Sequence, residues 1–300
     1  MNTDQLNKKL QTLGIFDGKI DLKFFEGFMT NNSYLACDDN KKYVVKIRVN
    51  REHYGVVSHH EVKASKAGYR GGISPKVIYN DDSILIFQYI DSNELTVEKI
   101  RKKETLKKIV SLIKIVQKEV VKYLEGQNLS IGLFQMIKNK ISILKERGRP
   151  YDDKFNNLIK DCEIFERKYE PHEMAFAHND FYFKNILDDG KKLWLIDWEF
   201  SGFNPPLLDL ANLSKNNELS QEEDNFILEE YFGGTVTETS RYKFQELKCA
   251  SLLKGVLWGM ISEIFSEKVF DYKSYTDRIY AKYIEQLDYF KSLNNEKVSF

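Results

Sequence analysis

Apolar residues Leu6, Leu10 and Leu13 recur at helical spacing near the start of the chain, which predicts a short amphipathic helix over residues 3–13. The period then shortens. The runs "YLAC" (34–37), "KYVVKIRV" (42–49), "PKVIY" (75–79) and "SILIFQYI" (83–90) are rich in β-branched and aromatic residues and lie between turn-rich segments, so they predict strands. A helix over "SHHEVKASKAG" (58–68) interrupts them. From Thr96 onward the period returns to that of a helix, most clearly in "EKIRKKETLKKIVSLIKIVQKEV" (98–120), and stays helical almost to the end. The expected fold is therefore α+β in two lobes, a strand-rich unit over 1–90 and a mostly helical unit over 91–300. "DSNEL" (91–95) is the expected hinge, and a cleft between two lobes is where small ligands usually bind.

One stretch breaks the helical pattern of the second unit, "AHNDFYFKNILDDGKKLWLIDWEF" (177–200). Its two short apolar runs flank Asp189-Gly190, a dipeptide that supplies the positive φ values of a tight hairpin turn. Folding the hairpin back brings Asn185 at its start beside Asp197 at its end, and Asp180 lies on the loop that feeds it. An amide and a carboxylate are hard oxygen donors that suit Mg²⁺, while Asp180 is left to accept a proton from a hydroxyl. In phosphoryl transfer a loop Asp serves the nucleophile while an Asn and a second Asp hold the metal. His178 by itself reads as a residue that packs and holds the loop.

A phosphate donor needs a cation. Alternation puts Lys46 and Arg48 on one face of their strand, opposite Val45 and Ile47, so one of the two should enter the cleft. Glu61, in the helix that follows, is the expected partner of Lys46, the arrangement by which a strand Lys and a helix Glu meet in protein kinases. "EGFMTNNSYL" (26–35) precedes the Lys46 strand in the order of a β-turn-β cover for phosphate, with Asn32 as a candidate nucleotide contact. "GYRGG" (68–72) reads as a connector. Neither has the GxxxxGK[ST] pattern of a P-loop.

Composition narrows the partners. The 300 residues carry 45 Lys+Arg against 45 Asp+Glu, so no charge footprint for nucleic acid or an anionic membrane stands out. Cys37, Cys162 and Cys249 are scattered, which fits idle thiols in a reducing compartment. The polar N-terminus lacks the core of a signal peptide, and no segment reaches the roughly 18 apolar residues of a membrane span. A cytoplasmic protein with a small-molecule partner is expected; the pattern sets no oligomeric state.

"HNDFYFKNIL" followed by "LWLIDWEFSGFNPPLLDLAN" resembles the choline/ethanolamine kinase family, within the wider aminoglycoside-phosphotransferase-like group of kinase-fold enzymes. The likeness extends to "MTNNSYL" and "YVVKIR" and to "VLWGMISEIFSEKVFDYKSYTDRIYAKY", and over 95–170 it is one of helical character only. It implies a protein-kinase-like fold that phosphorylates the hydroxyl of choline from ATP. By this resemblance Asp180 is the catalytic base, Asn185 and Asp197 bind Mg²⁺, and Lys46 anchors the ATP phosphates. It further implies that Trp258, Tyr272 and Tyr275 cage the quaternary ammonium, with Glu199 lending negative charge. Gly255 departs from the family, many members of which carry a second Trp there; Phe181 or Tyr182 could supply the missing wall. Rival expectations are a kinase of ethanolamine or an aminoglycoside, with the acidic run "SQEEDNFILEE" (220–230) facing a polyamine, and a catalytically inactive binding protein of the same fold.

Overall fold

The structure, a computed structural model, describes all residues except 26–31, 49–53, 55, 57, 94, 127–131, 148–151, 169–172, 267–269 and 298–300. Most of "EGFMTNNSYL" therefore lies outside the described residues.

Helix α1 (Thr3–Gln11) starts at Asn2, whose side chain and that of Gln5 cap each other's backbone N–H groups. Its apolar stripe buries Leu6 and Leu10 completely against the sheet. Each such burial contributes roughly 1.5–3 kcal/mol. The sheet is antiparallel in the order β1-β2-β3-β5-β4, from β1 (Asp21–Phe24), β2 (Asn32–Cys37), β3 (Lys42–Ile47), β4 (Val77–Asn80) and β5 (Ile84–Gln88). Strand β1 has no counterpart in the sequence reading. It is an edge strand with hardly any buried side chain, so it leaves no hydrophobic pattern. On β3, Tyr43, Val45 and Ile47 face the α1 core, while Lys46 lies between Ser33 and Leu85 of the neighbouring strands.

Helix α2 (Ser58–Arg70) crosses the other side of the sheet. At Gly68 it approaches the second lobe so closely that a Cβ would lie against Ser74 Oγ and 2.8 Å from Trp198 Cζ2. Trp198 is buried and donates through Nε1 to Ser74 Oγ at 2.9 Å, and Ser74 Oγ donates to the Leu195 carbonyl. Neither neighbour can yield freely. Gly68→Leu is expected to cost about 1–3 kcal/mol by overpacking, read as a lower denaturation midpoint with an unchanged slope.

In the expected hinge, Asn93 lies beside the hairpin, its N–H donating to the Asp188 carbonyl at 2.8 Å. The single long helix expected over 98–120 is broken into α3 (Val97–Ile100), capped by Thr96, and α4 (Lys103–Lys118). Lys102 takes extended backbone at the break, and Arg101 turns out to clasp Glu223 with Nε 2.9 Å from Oε1. Helices α5 (Leu133–Glu146), α6 (Asp153–Lys168), α7 (Leu208–Asn216), α8 (Gln221–Phe232), α9 (Glu238–Phe265) and α10 (Tyr272–Lys297) follow, packed round one large core. The acidic run at the start of α8 is engaged structurally: Ser220 and Glu223 form a capping box, Glu223 pairs with Arg101, and Asp224 pairs with Lys248.

Two short antiparallel pairs interrupt the helical unit. One is β6 (Ala175–Ala177) with β9 (Gly202–Asn204); the other is the expected hairpin, β7 (Ile186–Asp188) with β8 (Leu193–Leu195). The hairpin loop spans residues 189–192 and is looser than a two-residue turn. Only Gly190 takes positive φ there, while the Asp189 carboxylate accepts from the N–H groups of Lys191 and Lys192. Cys37, Cys162 and Cys249 are free thiols. Among the described residues no helix is long and apolar enough to cross a membrane.

Candidate active site

Pairing of β6 with β9 sets the loop 178–185 beside residues 197–201, and α7 then fixes it from below. Asp209 accepts from the backbone N–H of His178 at 2.9 Å and of Asn179 at 2.7 Å. Asn179 is in the left-handed region at φ 65°, a backbone state that costs a non-glycine residue about 1–2 kcal/mol. Burial holds the Asp209 carboxyl up at about 7 against the pull of these two bonds. His178 donates from Nε2 to the Ile196 carbonyl at 3.0 Å and packs edge-on to Phe181 and Trp198. Burial pushes its pKa down to about 4, so it stays neutral and holds the loop.

On this frame the side chains singled out from sequence converge. Asn185 Nδ2 donates to Asp180 Oδ2 at 2.9 Å and to the Asp180 carbonyl at 3.0 Å, which uses both amide hydrogens and leaves Oδ1 as the oxygen able to accept or ligate. Asn185 in turn accepts the N–H of Ile196 on its carbonyl, one residue from Asp197. Asn216 of α7 donates to the other Asp180 oxygen at 3.0 Å. Burial raises the Asp180 carboxyl above its ordinary value, and Lys215 and then Lys254 pull it back.

Lys46 is the member of the strand pair that enters the cleft; Arg48 instead donates to the Asp81 carbonyl. Lys46 Nζ lies 2.5 Å from Glu61, 2.7 Å from Asp197 and 2.9 Å from Glu199. One ammonium thus faces three carboxylates, which offer oxygens within 4.8 Å of one another. Burial, and next the charge of Glu199, holds Asp197 up at about 7. Asp197 also stands at φ 67°, a strained state of the kind that clusters at functional sites. Negative charge in excess of Lys46, carried wholly by hard oxygen donors, fits a divalent cation of the Mg²⁺ type.

Asp180, Asn185, Asp197 and Glu199 line a cavity of about 900 Å³, large enough for two ligands, that also reaches Asn32 at the start of β2. The same cavity is lined by Trp258 on α9 and by Tyr272 and Tyr275 on α10. The Trp258 ring lies 6.1 Å from Tyr272 and 5.4 Å from Tyr275, both edge to face, so the three pack on each other while lining the cavity. Of the two residues proposed to replace a wall at Gly255, Tyr182 lines the cavity, but Phe181 is buried in the core against His178 and cannot. Glu199 lines the same cavity, with Lys46 Nζ 2.9 Å from its carboxylate.

Sequence reading missed Asp209, Asn216, Lys215 and Lys254. An acid inside the apolar run "PPLLDLANL" and a lysine inside "SLLKGVLW" are the available signals. Lys215 and Asn216, at the polar end of a helix, carry none.

The choline/ethanolamine kinase family model matches residues 22–230. Protein LicA of Haemophilus influenzae is 26% identical over 261 residues, covering 80% of this chain and 72% of the relative. Among solved structures, a choline/ethanolamine kinase family protein from Mesorhizobium loti aligns with a TM-score of 0.78 at 22% identity, covering 96% of this chain and 95% of that one. Choline kinase LicA from Streptococcus pneumoniae aligns with a TM-score of 0.76 at 23% identity, covering 95% and 98%. The two structural likenesses carry the two-lobed, protein-kinase-like fold. With the family model spanning most of its length, the chain belongs to the choline/ethanolamine kinase family and is a phosphotransferase with an alcohol acceptor.

Proposed function

We propose that the chain transfers the γ-phosphoryl group of ATP, with Mg²⁺, to the hydroxyl of a small alcohol, with choline as the first reading of the acceptor. The observation that carries this is the junction of Asp180, Asn185 and Asp197, which line the cavity, with the Lys46–Glu61 pair that meets Asp197. In this reading the unit over 1–90 covers the nucleotide and the unit over 91–300 carries the acceptor. Lys46, oriented by Glu61, meets the phosphates, and Asn32 contacts the nucleotide. Asn185 Oδ1 and Asp197 would hold Mg²⁺, with Glu199 adding charge nearby. When bound, the ion neutralises charge on the phosphoryl group. The acceptor oxygen bonds to the γ-phosphorus as the bond from that phosphorus to the bridging oxygen breaks. ADP leaves with the electron pair, and the hydroxyl proton passes to Asp180. A cytoplasmic site of action, where MgATP is available, goes with this reading.

The names of the relatives support choline, as do Trp258, Tyr272 and Tyr275, since each cation–π contact contributes roughly 0.5–2 kcal/mol. A specific observation favours a second reading, an alcohol without a quaternary ammonium: Lys215 and Lys254 line the same cavity. The test is ADP release by purified protein with MgATP and choline, ethanolamine, an aminoglycoside, other small alcohols or no acceptor. Release is expected to require both MgATP and an added alcohol. A clear preference for choline supports the first reading, preference for another alcohol the second. MgATP binding without acceptor-dependent release from any alcohol would identify an inactive binding protein instead.

A further inference from the structure

We infer that Lys140 is a positioning residue for the acceptor: it holds Tyr54 against Trp258 and so fixes the aromatic wall of the cavity. The inference rests on the choline reading of the site and deepens it, because it names what sets the wall.

Tyr54 lies between β3 and α2, on the segment that joins the Lys46 strand to the Glu61 helix. Its side chain is nevertheless buried with the core of the helical unit, not with the core that α1 forms on the sheet. The Tyr54 ring lies 5.9 Å from the Trp258 ring, the two planes 35° apart. Tyr272 and Tyr275 meet the same indole at 62° and 74°, so Tyr54 is the flattest of the three contacts and the one that opposes its tilting. Trp258 lines the cavity, whereas Tyr54 is not among the described residues that do. Tyr54 therefore backs the wall and does not face the acceptor.

Lys140 on α5 anchors this arrangement, its Nζ donating to the Tyr54 carbonyl at 3.2 Å. The lysine is only 4% exposed, and its helix neighbours Met136, Ile137, Ile141 and Leu144 are buried apolar residues. By pattern, position 140 belongs to the core. Desolvating an ammonium is costly, and a hydrogen bond to a neutral carbonyl offsets only part of that cost, so packing alone gives no reason for a lysine here. What the lysine adds over an apolar residue is the bond from α5 to the backbone of Tyr54. Breaking that bond frees the segment that carries the backing ring. A cation–π contact depends on the ring face presented to the cation, so a looser indole binds a quaternary ammonium less well.

The experiment measures KM for choline and for MgATP by ADP release in the wild type, Lys140→Met, Tyr54→Leu and the double variant. Met keeps the length and apolar stem of Lys, Tyr54→Leu keeps the carbonyl but removes the ring, and neither KM moves with the fraction of folded protein. Each single variant is expected to raise the choline KM by about three- to tenfold, within the range that one cation–π contact contributes, and to leave the MgATP KM unchanged. The double variant is expected to be no worse than the poorer single one, because both residues act through the same wall. An unchanged choline KM in either single variant, or equal rises for choline and MgATP, overturns the inference. So does an additive double variant, which would mean that Lys140 acts on the acceptor without Tyr54. These outcomes leave the choline reading standing, whereas a wild type without choline-dependent release overturns both.

Discussion

Asp180→Ala is expected to lose about 10²–10⁴ of the turnover rate, the usual contribution of a positioned general base, while keeping its fold. The side chains that grip Asp180 retain other partners: Asn185 Nδ2 still has the residue 180 carbonyl at 3.0 Å, and Asn216 Nδ2 has the Phe181 carbonyl at 3.4 Å. Stability should not fall either. Burial raises the Asp180 carboxyl above its ordinary value, so the folded state disfavours its ionised form. Such a group weakens the fold at pH above its unfolded value of about 4, and this penalty is relieved as pH falls below it. Without Mg²⁺ or nucleotide, the variant should therefore melt at the same or a higher temperature than the wild type at neutral pH, and the two should converge in acid. ADP release and thermal unfolding on one preparation separate the cases. Retained turnover would remove Asp180 from the role of base; lost turnover with a collapsed melting transition would leave its chemistry unproven.

The parts of this site that were legible in sequence are those that local rules determine. Two apolar runs around a turn dipeptide fix a hairpin, and the hairpin alone brings Asn185 to within one residue of Asp197. Strand alternation narrowed the cleft cation to Lys46 or Arg48, and spacing along the next helix gave Glu61. What escaped depends on contacts between distant segments. Asp209 matters because α7 packs under a loop thirty-one positions earlier in the chain. Arg101 breaks a helix of good propensity to reach Glu223 on α8, a tertiary contact overriding a local preference. Lys215, at the polar end of its helix, reads as a surface residue, and it lines the cavity beside Gly255, where a Cβ would lie 3.3 Å from its Nζ.

Lys46→Met is expected to damage both stability and nucleotide binding. The ammonium is buried among Glu61, Asp197 and Glu199, and Glu61 and Glu199 are almost wholly inaccessible. Removing it leaves three clustered carboxylates without their shared cation, and breaking a buried ion pair from one side typically costs about 3–5 kcal/mol. The loss is one of uncompensated charge, so it should be partly reversible. Adding Glu61→Gln to Lys46→Met removes one of the stranded acids and should recover part of the stability, but not turnover, because the cation proposed to meet the phosphates is still missing. Denaturant unfolding of the wild type, both single variants and the double variant forms a cycle that reads the coupling directly. Calorimetric titration with MgATP then reads binding separately. A coupling energy near zero would mean that Lys46 and Glu61 contribute independently, and the short contact between them would not be what holds α2 over β3. Full MgATP affinity in Lys46→Met would mean that the phosphates are held elsewhere, and the proposed nucleotide site would have to be reassigned.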